Sequence, residues 1–130
     1  PWTDCASKEE AAQLAGFDLT APDEIAGTGE DAYQVMTGED IETIFEIDYA
    51  SGEERAAYVR KAPGADDISG DCNDYTEVET IEENGVKLTL KGNDGLVNLA
   101  VWTDGGYSYA LNVTDGLSQS DMTALATGIQ

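Results

Sequence analysis

The chain has 130 residues, with 27 acidic and 6 basic side chains, a net charge of −21 and no histidine. So acidic a surface excludes nucleic acid as a partner, because phosphates are held by clustered Lys and Arg, and argues against anionic lipid surfaces for the same reason. Without histidine the commonest acid–base group and metal ligand is missing, and no Ser-His-Asp or Cys-His nucleophile arrangement can form.

Hydrophobic residues at 41% and charged residues at 25% fit a single globular domain over residues 1–130, long enough to bury a core. The plain reading of the charge is solubility, or adaptation to a salty medium. No apolar run approaches the ~20 residues of a membrane span. The chain opens at Pro1 without a basic and apolar leader. The expectation is a domain from which an export signal or N-terminal anchor has been removed, attached to a membrane only through that segment.

The first element is a helix. Ser7-Lys8-Glu9-Glu10 reads as a capping box, residues 11–15 favour helix, and Gly16 is placed to end it. Phe17, Leu19 and Pro22 read as a short extended return, and 23–32 as polar loop. Period-two alternation then predicts a short strand from Tyr33 to Met36 and a long one from Ile41 to Tyr49 with one solvated face. Residues 51–54 turn the chain, and Arg55 to Lys61 returns as a partner strand. Residues 62–75 form one long irregular connection, of a length that is functional or pinned in compact domains.

Three hairpins follow. Asn84-Gly85, Gly92-Asn93-Asp94-Gly95 and Asp104-Gly105-Gly106 join strands at 76–83, 86–92, 96–103 and 106–113. Asn-Gly supplies the positive φ angles of a type I′ turn. Ser118 can cap a last helix in which Met122, Leu125, Ala126 and Ile129 recur at helical spacing. The predicted fold is α+β: an antiparallel meander sheet of six or seven strands, with N-terminal and C-terminal helices on one face.

Chemistry has few places to reside. Cys5 and Cys72 are too far apart for a CxxC site, and are expected to form a disulfide that pins the long connection, which suits an oxidising compartment. The alternative is a reactive thiol. Asp66, Asp67, Asp71, Asn73 and Asp74 crowd oxygen ligands into that connection. Asp67, Asp71 and Asn73 could hold calcium there, the one cofactor the sequence allows, although the spacing is not that of an EF-hand. The alternative is a solvated loop with Asx turns.

Trp102, Tyr58 and Arg60, with Tyr109, could form an aromatic patch with one cation if they meet on the exposed sheet face; otherwise they are core or edge packing. Carboxylate pairs also admit a cryptic hydrolase by residue type, but no motif singles out a pair. Asn112-Val113-Thr114 matches a glycosylation acceptor.

Several segments together resemble a bacterial extracytoplasmic family known only as a domain of unknown function, found at the outward-facing ends of lipoproteins and membrane-anchored anti-sigma-like proteins. They are Ala15-Gly16-Phe17 with Pro22, Tyr58-Val59-Arg60-Lys61-Ala62, Asp67-Ile68-Ser69-Gly70-Asp71 with Tyr75, and Ala100-Val101-Trp102 followed by Gly106-Tyr107-Ser108-Tyr109. The resemblance implies export, in a secreted or surface-anchored form, and carries over no catalytic or ligand residue. The expected function is therefore a non-enzymatic, monomeric binding or sensing domain, with an unidentified extracellular ligand or protein as partner. A cation-stabilised structural module and a carboxylate hydrolase are the alternatives.

Overall fold

The computed structural model describes residues 1–130. In chain order the elements are β1 (Trp2–Cys5), α1 (Lys8–Ala15), β2 (Glu24–Ile25), β3 (Thr28–Met36), β4 (Ile44–Ser51) and β5 (Glu54–Pro63). They continue with β6 (Glu77–Glu83), β7 (Val86–Asn93), β8 (Leu96–Asp104), β9 (Tyr107–Leu117) and α2 (Gln119–Thr127). All nine strands belong to one antiparallel sheet ordered β1-β3-β4-β5-β9-β8-β7-β6, with β2 folded onto β3.

Local chemistry explains the elements. Ser7 Oγ accepts from the amide of Glu10 at 3.1 Å, and Gly16 ends α1 at φ 89. Ser118 Oγ accepts from the amide of Asp121 at 3.1 Å and starts α2. Asn84 and Gly85 take φ 53 and 81, the positive pair that closes β6 onto β7. The strand count exceeds the expected six or seven because β1 and β2 were unforeseen, and the Tyr33–Met36 strand extends back to Thr28 through residues expected as loop, so that β2 and β3 form a hairpin. That hairpin turns at Ala26-Gly27 with φ 53 and 75, and an alanine does not advertise positive φ.

Register builds one apolar face. Val35, Phe45, Lys61, Tyr109 and Trp102 lie opposite one another on successive strands, and so do Tyr33, Ile47, Val59, Leu111 and Ala100. Ala11 of α1 and Met122 and Ala126 of α2 bury in the same cluster. Lys61 is the anomaly in the row, at 8% exposure. Its Nζ donates to the Asp18 carbonyl at 2.7 Å and lies 4.4 to 5.6 Å from the ring centres of Tyr107, Phe17 and Tyr109. Burial pushes its pKa down, opposed by Asp18. Together with the Tyr49 hydroxyl, which donates to the Pro22 carbonyl at 2.6 Å, this ammonium ties residues 17–22 to the sheet.

The second face corrects the expectation of a half-solvated β4. That strand begins at Ile44 rather than Ile41, after Asp40 at φ 60, and Ile44 and Glu46 are both buried. The cause is topological. β5 ends at Pro63 beside Tyr107, where β9 starts, yet the next strand, β6, lies at the far edge beyond β9, β8 and β7. The connection 64–76 must cross the sheet, and it does so on this side, with Ile68 packing on Ile44, Ala62 and Ala110.

Candidate functional site

Beneath this crossing lies a polar network. Arg60 Nε donates to Glu46 Oε1 at 2.6 Å, and Arg60 Nη1 donates to the Ile68 carbonyl at 3.0 Å. Glu46 Oε2 also accepts from Gln34 Nε2. Arg55 Nη1 lies 3.4 Å from Asp48 Oδ1 and 3.9 Å from Glu46 Oε2. The two guanidinium carbons sit 4.6 Å (Arg55) and 4.9 Å (Arg60) from the Tyr58 ring centre, and Arg60 also lies 5.2 Å from the Trp2 ring. Burial, with Glu46 beside it, raises the Asp48 carboxyl to about 6, against the pull of Arg55.

Next to the network the crossing segment leaves a cleft of about 280 Å³. Tyr58 and Arg55 come from β5, Asn112 from β9, Asn98 from β8, and Asp71, Asn73 and Tyr75 from the segment. Asp71 organises it. One carboxylate oxygen accepts from the Asn73 amide at 2.9 Å and its side-chain nitrogen at 2.8 Å; the other accepts from Asn112 Nδ2 at 3.0 Å and from the Tyr75 hydroxyl. Burial opposes ionisation, but these donors outweigh it and lower the Asp71 pKa. Burial and the Asp71 carboxylate raise the Tyr75 phenol to about 12. The Tyr58 hydroxyl donates to the Ser69 carbonyl at 2.5 Å, fixing the segment to β5.

The residues singled out in the sequence are divided between the two faces. Tyr58 and Arg60 lie under the crossing. Trp102 and Tyr109 lie on the helix side, 7% and 6% exposed, their rings stacked 5.4 Å apart. The expected aromatic patch of Trp102 with Tyr58 and Arg60 does not assemble, because register sends Trp102 the other way. Asp71 and Asn73 line the cleft, whereas Asp67 does not. Asp67 accepts from the Ser69 amide at 2.8 Å in an Asx turn, and Asn73 spends its donors on Asp71. No three Asp, Glu or Cys side chains gather as a metal-binding group. Asn112 of the glycosylation pattern is half-buried and engaged with Asp71.

The expected Cys5–Cys72 disulfide is also corrected: both are free thiols. Cys5 pairs with Tyr33 and packs on the helix-side cluster, whereas Cys72 lines the cleft on the other side. The sheet separates the two sulfurs. Burial raises the Cys5 pKa, and Glu10 and Asp4 add to the rise, which makes that thiol a poor nucleophile.

Sequence reading passed over Glu46, Arg55 and Asn98, and marked Asn112 only as a glycosylation acceptor. The available signal was the alternation in β4 and β5, which puts Glu46 and Arg60 on matching parities; only the register makes them opposite neighbours.

A family model described as a domain of unknown function (DUF4367) matches residues 26–129. The chain belongs to that family. The DUF4367 match runs from the β2–β3 turn to two residues past α2, so it takes in both faces of the sheet and Cys72 but not Cys5. Comparisons with curated proteins and with solved structures gave no match.

Proposed function

We propose that this DUF4367 domain is a non-enzymatic binding or sensing module, secreted or anchored at a bacterial surface, and that its ligand seats in the cleft beside residues 70–75. The observation that supports this reading is the convergence of side chains from β5, β8, β9 and the crossing segment on one polar hollow. Asn98 and Asn112 use their amide nitrogens inside the protein, while their side-chain oxygens accept nothing there. Arg55 is half-exposed at the rim. The hollow therefore offers acceptors from a rigid floor and a cation at its edge, which suits a small polar ligand carrying both donors and an acceptor group.

The extracytoplasmic part of the reading is carried by the sequence resemblance, since free thiols do not argue for an oxidising compartment. Hydrolysis is the weaker alternative. The nearest acid pair, Glu46 and Asp48, is committed to Gln34, Arg55 and Arg60, and Glu46 is 1% exposed, which leaves substrate no access.

The test is an NMR screen of sugars, amino acids and short peptides against the folded chain. Hits are expected to shift the amides of 70–75 and the side-chain amides of Asn98 and Asn112. Arg55→Gln is expected to weaken such a hit about tenfold, with a melting curve measured alongside because its partners Asp48 and Glu46 are largely buried. Hits that avoid these resonances, or that ignore Arg55→Gln, overturn the reading.

A further inference from the structure

On the helix side, where the C-terminal end of α2 meets β6, β7 and β8, there is a pocket of about 240 Å³. Val86, Leu88, Trp102 and Ile129 supply apolar wall, and Glu83 and Asp104 supply carboxylates. The volume lies just below the usual range of ligand pockets, enough for a compact guest only, and the wall is evenly divided between apolar and polar residues.

We propose that this pocket takes a small organic cation: an ammonium group carried on a compact apolar body. Three features independent of one another select this chemistry. First, Glu83 and Asp104 have no basic partner; the ion pairs of the chain involve only Lys8, Arg55 and Arg60, with Glu30, Glu46 and Asp48. Second, Ala126 and Thr127 bring the carbonyl end of α2 to the pocket, and no basic residue occupies the last turn of that helix. The negative end of the helix dipole is left without a counter-charge, which favours a cation there. Third, Trp102 offers an indole, the aromatic that best attracts cations. Apolar wall alone would accept an apolar guest of any charge. Unpaired carboxylates, a helix C-terminus and a net charge of −21 select against anions and favour cations.

The probe is benzyltrimethylammonium, an aromatic ring with a permanent positive charge, followed by methyl NMR. 3-Phenylpropionate serves as the anionic counterpart. The cation is expected to give saturable shifts of the Val86, Leu88 and Ile129 methyls and to bind at least about tenfold tighter than the anion. In Trp2→Phe protein, Trp102 is the only indole left, and its fluorescence should report the same affinity. Glu83→Gln with Asp104→Asn should weaken the cation about tenfold while the melting temperature holds, because both side chains are exposed. If the double variant loses its fold, Asp104→Asn alone carries the test, with an expected loss of several-fold. Absence of saturable methyl shifts, equal binding of cation and anion, or indifference to the carboxylate changes overturns the proposal. Each result leaves the cleft on the opposite face untouched.

Discussion

Arg60 is the side chain on which the covered face depends. It neutralises Glu46, which is 1% exposed, and it holds the Ile68 carbonyl of the crossing segment. Removing one partner of a buried pair leaves the other charge uncompensated, so Arg60→Ala is expected to cost about 3–5 kcal/mol in urea unfolding. A cost below about 1 kcal/mol would mean that the pair is solvated. Asp48 has the opposite sign. Its carboxyl is raised from 3.8 to about 6, first by burial and then by Glu46. Between these values the native state holds the proton more tightly than the unfolded chain, so stability falls as pH rises through this window and is flat above it. Asp48→Asn is expected to stabilise the fold by about 1–2 kcal/mol at pH 7, after allowance for the lost Arg55 contact. The gain should vanish near pH 4, and melting curves at both pH values check it. None of this was legible in the sequence. Arg60, Asp71 and Tyr75 stood out as residues of recurring segments, but their partners Glu46 and Asn112 are set by strand register, which a single sequence does not encode locally.

Elements governed by local chemistry were readable. Ser7 with Glu10, Ser118 with Asp121, and Asn84-Gly85 act over a few residues, and both helices and the three late hairpins fall close to where those signals put them. Elements that depend on distant partners were missed: β1 is a strand because β3 presents an edge to it, and β2 turns at an alanine. One glycine has a role that its neighbours do not reveal. Gly92 sits where the β7–β8 register shifts, and a Cβ there would lie 1.8 Å from the Leu96 carbonyl oxygen. The backbones must separate to admit it. Gly92→Ala is expected to cost more than about 3 kcal/mol or to abolish folding, as judged by urea titration. A variant of near-normal stability would show that the bulge is placed wrongly.

At the scale of the molecule, two meanders, β3–β5 and β6–β9, are joined edge to edge through β5 and β9. That junction makes the crossing 64–76 obligatory, covers the second face and creates the cleft. The sequence showed an unusually long connection, of a length that is functional or pinned in compact domains, with Cys72 as the expected pin. It could not show that the pins are Tyr58, Arg60 and Asn112 rather than a disulfide, because the strand order decides which face the segment crosses. The same order puts Cys5 and Cys72 on opposite sides of the sheet. Intact mass after alkylation in denaturant, without reductant, tests this arrangement most directly. Two adducts per chain are expected, one on each cysteine. A monomer that takes up no adduct until it is reduced would carry the Cys5–Cys72 bond. It would contradict the placement of the crossing segment, and with it the cleft from which the binding function is inferred.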